Sequence, residues 1–420
     1  ELEDYNTRNN NGSYALQASA VTIDNTTGLV TAIVGGRSQD DVSVDYNRAY
    51  LSFRQPGSSI KPLIVYTPAL ERGYTPDSIV NDEKTEGGPS NANKSYAGKI
   101  TLRQAVESSK NTVAWSLFEE LTPKVGISYL RNMNFSHLEN QDEQMAASLG
   151  GFTRGVSALE MASGYAALEN SGKYREPTCI VKITDADGND IYVSDQEETV
   201  VYKENAARMM TDMLVSVVQE GTGKGLAIRE MPCAGKTGTT NDNKDGWFVG
   251  YTRYYTTSVW VGYDMPKELP TLKGSSYPGN IWHDFMENIH TGLTPLNFLP
   301  YVSYTDGGQK DDGKEQQQED TKKEEKDKTD QPAAPQPEQQ AQPEQQPAEQ
   351  PQENPSPEQQ PQPEQQPAEQ QPADQQTGQQ TGQQEAQPEQ PQPGDQSGQD
   401  SQDNAQQIEN QGGEQNTPGE

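Results

Sequence analysis

The chain has 420 residues, of which 63 are acidic and 32 basic, giving a formal net charge of −31. That balance argues against nucleic-acid binding, which needs basic surface for phosphate contacts. Two cysteines, Cys179 and Cys233, are too few for a disulfide framework and stand in no metal-type spacing, and no signal peptide or apolar run of membrane-spanning length occurs.

In chain order, the first predicted element is a hairpin. Ala20–Ile23 and Leu29–Val34 are strand-like runs joined by the turn-rich Asp24–Gly28. Pro56-Gly57 then punctuates the chain before a helix that must begin close to Ser58, because Pro62 is tolerated only in a first helical turn. Ser58 or Ser59 is a candidate cap for that helix. Helical patterns follow over Val156–Asn170, ending before Gly172, and over Asn205–Gln219, ending before Gly221. A second β region spans Lys236–Tyr263, with strands at Trp247–Tyr251 and Thr257–Tyr263 whose short link requires antiparallel pairing. The fold class expected is therefore α/β (α+β), an antiparallel sheet with helices packed around it. Two separately buried thiols fit this composition better than a Cys179–Cys233 bridge.

Composition changes abruptly at Tyr304. Beyond it there is no aromatic residue, and Ile408 is the only Val, Ile, Leu or Met. From Asp306 onward 26 acids face 6 lysines, so this stretch carries −20 of the charge and the rest only −11. The string QPEQQPAEQ at Gln342–Gln350 recurs at Gln362–Gln370. Such a segment buries too little apolar surface to offset chain entropy, so 305–420 is expected to be a disordered tail: a hydrated spacer, a partner-binding arm or a tolerated extension. The expected organisation is a linker over 1–15, a domain over 16–304 and the tail.

Three motifs carry chemistry: Ser58-Ser59-Ile60-Lys61, Ser109-Lys110-Asn111 and Lys236-Thr237-Gly238, with first residues 51 and 127 apart. Alone, each is weak; about one S-x-x-K match is expected by chance in a chain this long. The first alone reads as a capped surface helix with a solvated lysine, the second as a polar patch, and the third as an exposed edge strand with a gatekeeping lysine. Together they describe a nucleophile site. A serine hydroxyl needs a base to take its proton. Only His137, His283 and His290 exist, none in a triad pattern, and the last two are expected on a helix surface. The base is then Lys61, one helical turn from Ser58. A second lysine ~4 Å away at an effective dielectric of ~20 is worth about 4 kcal/mol, enough to bring Lys61 from ~10.4 towards ~7 before any burial. Lys236 is the candidate. Gly238 is explained as leaving an edge open for a substrate strand.

The wider sequence sharpens the motifs. Arg54–Pro62 (RQPGSSIKP), Gly235–Tyr251 (GKTGTTNDNKDGWFVGY), Gly150–Ser157 (GGFTRGVS) with Leu159–Ala162, and Ile281–Met286 (IWHDFM) resemble the class A penicillin-binding proteins over about 16–300. The likeness covers their transpeptidase half and not the glycosyltransferase half. It implies a central antiparallel five-stranded sheet flanked by helices, β-lactamase/transpeptidase-like. By resemblance, Ser109 relays a proton from Lys61 to the departing amine, and Asn111 binds the substrate backbone. Lys236, Thr237 and Thr239 hold the terminal carboxylate, while the N–H groups of Ser58 and Thr239 form the oxyanion hole.

What the resemblance implies is a serine-type D-Ala-D-Ala transpeptidase that cross-links peptidoglycan stem peptides and is acylated by β-lactams. The expected partners are stem-peptide donors and amine acceptors, β-lactam antibiotics, and cell-wall or divisome proteins. No metal or organic cofactor is implied. The expected location is the outer face of the bacterial cell membrane, with an anchoring helix preceding Glu1. Rival readings are a carboxypeptidase, a β-lactamase, and a β-lactam-sensing or scaffold domain. Glu139 and Glu143 stand where a deacylating glutamate would be sought, in a polar stretch read as surface.

Overall fold

The computed structural model describes residues 5–10, 12–37 and 46–303; the predicted tail lies outside the described residues. Strands β1 (Leu16–Asp24) and β2 (Val30–Val34) form the expected hairpin, β1 opening earlier than predicted. Next come the short helix α1 (Arg48–Leu51), a helical segment over 57–71 ending in α2 (Thr67–Glu71), and the strand pair β3 (Ile79–Asp82) and β4 (Gly98–Thr101). Helices α3 (Leu102–Glu107), α4 (Asn111–Leu121), α5 (Pro123–Asn132) and α6 (Ala158–Glu169) make up the middle. After the short strands β5 (Lys173–Arg175), β6 (Lys182–Thr184), β7 (Asp190–Val193) and β8 (Glu198–Val200) comes α7 (Glu204–Gln219). The last elements are β9 (Ala234–Thr239), β10 (Asp245–Tyr251), β11 (Tyr255–Tyr263) and α8 (Tyr277–Ile289).

The main sheet has the order β2-β1-β11-β10-β9, antiparallel throughout, which is the five-stranded sheet expected. Strands β10 and β11 read as apolar runs because both of their faces are covered. Trp247, Val249 and Tyr251 join the inner core with α6 and α7; the intervening Phe248 joins Trp282 and Met286 of α8 on the opposite face. The strand period of two thus feeds two cores. α6 starts on a capping box, Ser157 with Glu160, which explains why its predicted limits held. β9, carrying the third motif, lies at one edge of the sheet.

Two expectations about exposure fail. His290 is 5% exposed: its Nδ1 sits 2.7 Å from Met286 O and its Nε2 2.8 Å from Thr252 Oγ1. It follows the last turn of α8, which bends its ring inward, so the surface reading of this histidine is wrong, whereas His283 is half-buried. Both cysteines are free, but only Cys233 is buried. Cys179 is exposed beside the short β5–β8 strands, which have too little mass around them to bury it.

Candidate active site

The Ser58 segment begins where predicted but is built differently. Gly57–Ile60 forms a 3₁₀ turn, Pro62–Tyr66 a π turn, and only Thr67–Glu71 is regular α-helix. Such mixed turns mark functional sites more often than ordinary ones. No serine caps it: Ser59 Oγ donates to Pro56 O at 2.7 Å and accepts no helix N–H. Two glycines let the turn pack this tightly. Gly57 has φ +53°, and a Cβ on Gly150 would stand 2.3 Å from Gly57 N.

Gly238 answers the same demand. A Cβ there would meet Pro56 O at 2.4 Å and Ser59 Oγ at 2.8 Å. Its smallness therefore also serves the packing of β9 on the Ser58 turn, a demand separate from the room expected for a substrate strand. Gly57 in turn abuts the Thr239 backbone, where a Cβ would lie 2.8 Å from Thr239 O.

The second motif lies in the tight link between α3 and α4, with Ser109 at φ +53°. Behind it stand two lysines, each 0% exposed. Lys61 Nζ donates to Ser109 O at 3.0 Å, to Asn111 Oδ1 at 2.7 Å and weakly to Lys110 O at 3.4 Å; none of these contacts is with Ser58. Lys236 Nζ donates to Ser109 Oγ at 2.8 Å and to Thr237 O at 3.1 Å. Burial first, and the nearby Lys236 charge second, bring the Lys61 amine well below its ordinary range. The expected charge effect is thus present, but burial, left out of that sum, is the larger cause, because both amines have been taken out of water entirely. Burial lowers Lys236 to about 7.

The remaining candidate residues are already engaged. Asn111 Nδ2 donates to Ser90 O at 2.9 Å and keeps its second hydrogen for a ligand. Thr237 and Thr222 hydroxyls bond at 2.7 Å, and Thr239 Oγ1 accepts Gly274 N–H at 3.0 Å, leaving its own proton to donate. Ser58, Asn111 and Thr239 line a single open cleft of about 590 Å³; Lys61, Ser109, Lys236, Thr237 and Gly238 do not line it. Trp115, Phe152, Thr153, Arg154 and Lys244 also line the cleft. Trp115, missed in the sequence, could have been found by its place one helical turn after Asn111 on α4.

Residues 18–287 match the family model described as the penicillin-binding protein transpeptidase domain. The chain belongs to that family. It is 37% identical to penicillin-binding protein 4 of Bacillus subtilis over 271 residues, 64% of this chain and 43% of that protein. It is 36% identical to penicillin-binding protein 1A of Clostridium acetobutylicum, covering 70% of this chain and 38% of that one. The chain thus spans less than half the length of these curated relatives. Among solved structures, PonA1 from Mycobacterium tuberculosis in complex with penicillin V superposes with a TM-score of 0.61 at 25% identity. That likeness covers 69% of this chain and 82% of the solved chain.

In this penicillin-binding transpeptidase domain the two glutamates weighed for hydrolysis are tied elsewhere. Glu139 pairs with Arg154 at 2.9 Å and Glu143 with Arg131 at 2.6 Å, and neither lines the cleft. Both are half-buried and not fully on the surface. Among the described residues, no group of three or more His, Cys, Asp or Glu is placed to hold a metal ion.

Proposed function

We propose that this domain is a D,D-transpeptidase working through an acyl-enzyme on Ser58. The observation that carries the reading is Lys61: a wholly buried amine, shifted towards neutrality, one turn from the cleft-lining serine. As substrate seats, Lys61 Nζ turns to Ser58 Oγ and takes its proton, a contact that free enzymes often leave unmade. Ser58 Oγ attacks the carbonyl carbon of the D-Ala–D-Ala peptide bond. The backbone N–H groups of Ser58 and Thr239 stabilise the oxyanion. Ser109 Oγ, held by Lys236, passes the proton to the departing amine, and D-Ala leaves. An amine of a second stem peptide then attacks the ester carbonyl, returns a proton to Ser58 Oγ and forms the cross-link. Asn111 orients the donor backbone, while Lys236, Thr237 and Thr239 receive its terminal carboxylate. β-Lactams acylate the same oxygen. Its substrate would put the domain at the outer face of the bacterial membrane, where peptidoglycan lies; among the described residues no helix is long and apolar enough to cross a membrane.

Incubation with a pentapeptide donor ending in D-Ala–D-Ala and an amine acceptor, followed by mass spectrometry, tests this. Cross-linked product and free D-Ala from the parent, and neither from Ser58→Ala, are expected. Hydrolysed donor alone would favour a carboxypeptidase, and no turnover a sensor or scaffold.

A further inference from the structure

Behind the Ser109–Asn111 loop lies a buried polar cluster that the chemistry above does not use. Lys110, the middle residue of the second motif, pairs with Asp82 at the end of β3 (Nζ to Oδ2, 2.6 Å), their side chains 9% and 0% exposed. Asp82 Oδ1 also accepts from Asn91 Nδ2 and from Thr112 Oγ1, each at 2.6 Å, and its Oδ2 from Ala97 N–H at 2.8 Å. Against the upward push of burial, these hydrogen bonds hold the Asp82 carboxyl at about 2.

Asn91 reaches onward to the site. Its Oδ1 accepts the Asn111 N–H at 2.8 Å and, weakly, the Thr112 N–H at 3.4 Å. The N-cap residue of α4, Lys110, makes no side-chain cap bond, so Asn91 caps the helix from 20 residues upstream.

The loop needs this support. Ser109 adopts the left-handed region, which costs an L-residue roughly 1–2 kcal/mol. Lys61 takes its acceptors from three consecutive residues of the loop, and Lys236 takes the Ser109 hydroxyl. A displaced loop therefore moves the partners of both lysines at once. A buried ion pair is rarely more stable than apolar residues of the same volume. Its contribution here is to geometry.

We propose that Asp82, Lys110 and Asn91 form a clamp that positions the Ser109–Asn111 loop for acyl transfer. The three are positioning residues, and the inference rests on the acyl-enzyme reading above.

The test uses Asp82→Asn/Lys110→Met, which removes both charges together and nearly preserves volume, along with Asn91→Ala and Lys110→Arg. Stopped-flow acylation by a fluorescent penicillin separates the first-order acylation step from the preceding dissociation constant, and thermal midpoints report folding. A loop shifted by about 1 Å lowers the acylation step about 100-fold at an unchanged dissociation constant. Asn91→Ala lowers it about tenfold, the scale of a lost helix cap. Lys110→Arg keeps the pair and recovers most of the rate. Parent-like acylation in the double variant overturns the clamp. So does a loss lying wholly in the dissociation constant, or one recovered by cooling below a lowered thermal midpoint. If the double variant does not fold, Asn91→Ala decides on the same criteria. A parent that is never acylated sinks the acyl-enzyme reading and the clamp with it; parent and variants acylating alike sink the clamp alone.

Discussion

Replacing Gly238 by Ala adds one methyl group at the contact between β9 and the nucleophile turn. That methyl would lie 2.4 Å from Pro56 O, whereas ordinary contact begins at 3.4 Å, so turn and strand must part by about 1 Å. The backbone of Gly238 itself lies in a region open to alanine, since its φ is not positive. The strain is therefore one of packing, worth about 1–3 kcal/mol of stability. A shift of about 1 Å between the Ser58 turn and the Thr239 N–H, the two halves of the proposed oxyanion hole, should slow acylation about 100-fold. Fluorescent penicillin under single-turnover conditions reads this directly. The loss should appear in the acylation step, because the turn has moved; a loss confined to the dissociation constant would instead support obstruction of an approaching strand. Gly223→Ala, whose methyl meets nothing closer than 3.3 Å, is the control. A Gly238→Ala protein that acylates at the parent rate would refute the packing argument.

Lys236 has its pKa pulled from 10.5 to about 7, so between those values the unfolded chain binds more protons than the native one. Stability must then rise with pH across that window; the thermal midpoint should climb from about pH 7.5 to 9, and climb less in Lys236→Met. An equal slope in both proteins counts against a buried, proton-poor Lys236. Arg54 Nε donates to Asp245 Oδ1 at 2.8 Å, with side chains 8% and 3% exposed, so Arg54→Ala strands a buried carboxylate. The expected cost is about 3–5 kcal/mol by urea unfolding, and a loss under about 1 kcal/mol would mean that Asp245 rehydrates. A maleimide should label Cys179 in the native protein and Cys233 only after unfolding; early labelling of both would contradict the burial of Cys233, whose thiol burial raises to about 11.

What could be read from the residues was what depends on local pattern. The apolar runs of β10 and β11, the turn after Asp24 and the Ser157–Glu160 cap each act within a few residues, and their elements fell where expected. The three motifs pointed to one candidate site because their spacing is joined by flanking matches on both sides. What stayed hidden acts across the chain. Asn91 caps a helix 20 residues away, Gly238 fits beneath Pro56, and His290 turns into the core against Thr252. The same holds for the lysines. Charge proximity could be guessed from two motif lysines, but complete burial, the larger cause, comes from cores built by distant segments. Ser59 was a sound cap by propensity, yet the 3₁₀ turn directs its hydroxyl back to Pro56 O.

The proposed function stands or falls with Ser58 as the acylated nucleophile. Its most direct test is intact-mass and peptide mapping after incubation with penicillin, comparing the parent with Ser58→Ala. One added penicilloyl group on the peptide containing Ser58, and none on the variant, is the expected result. An adduct that persists in Ser58→Ala, or maps to another residue, would contradict it.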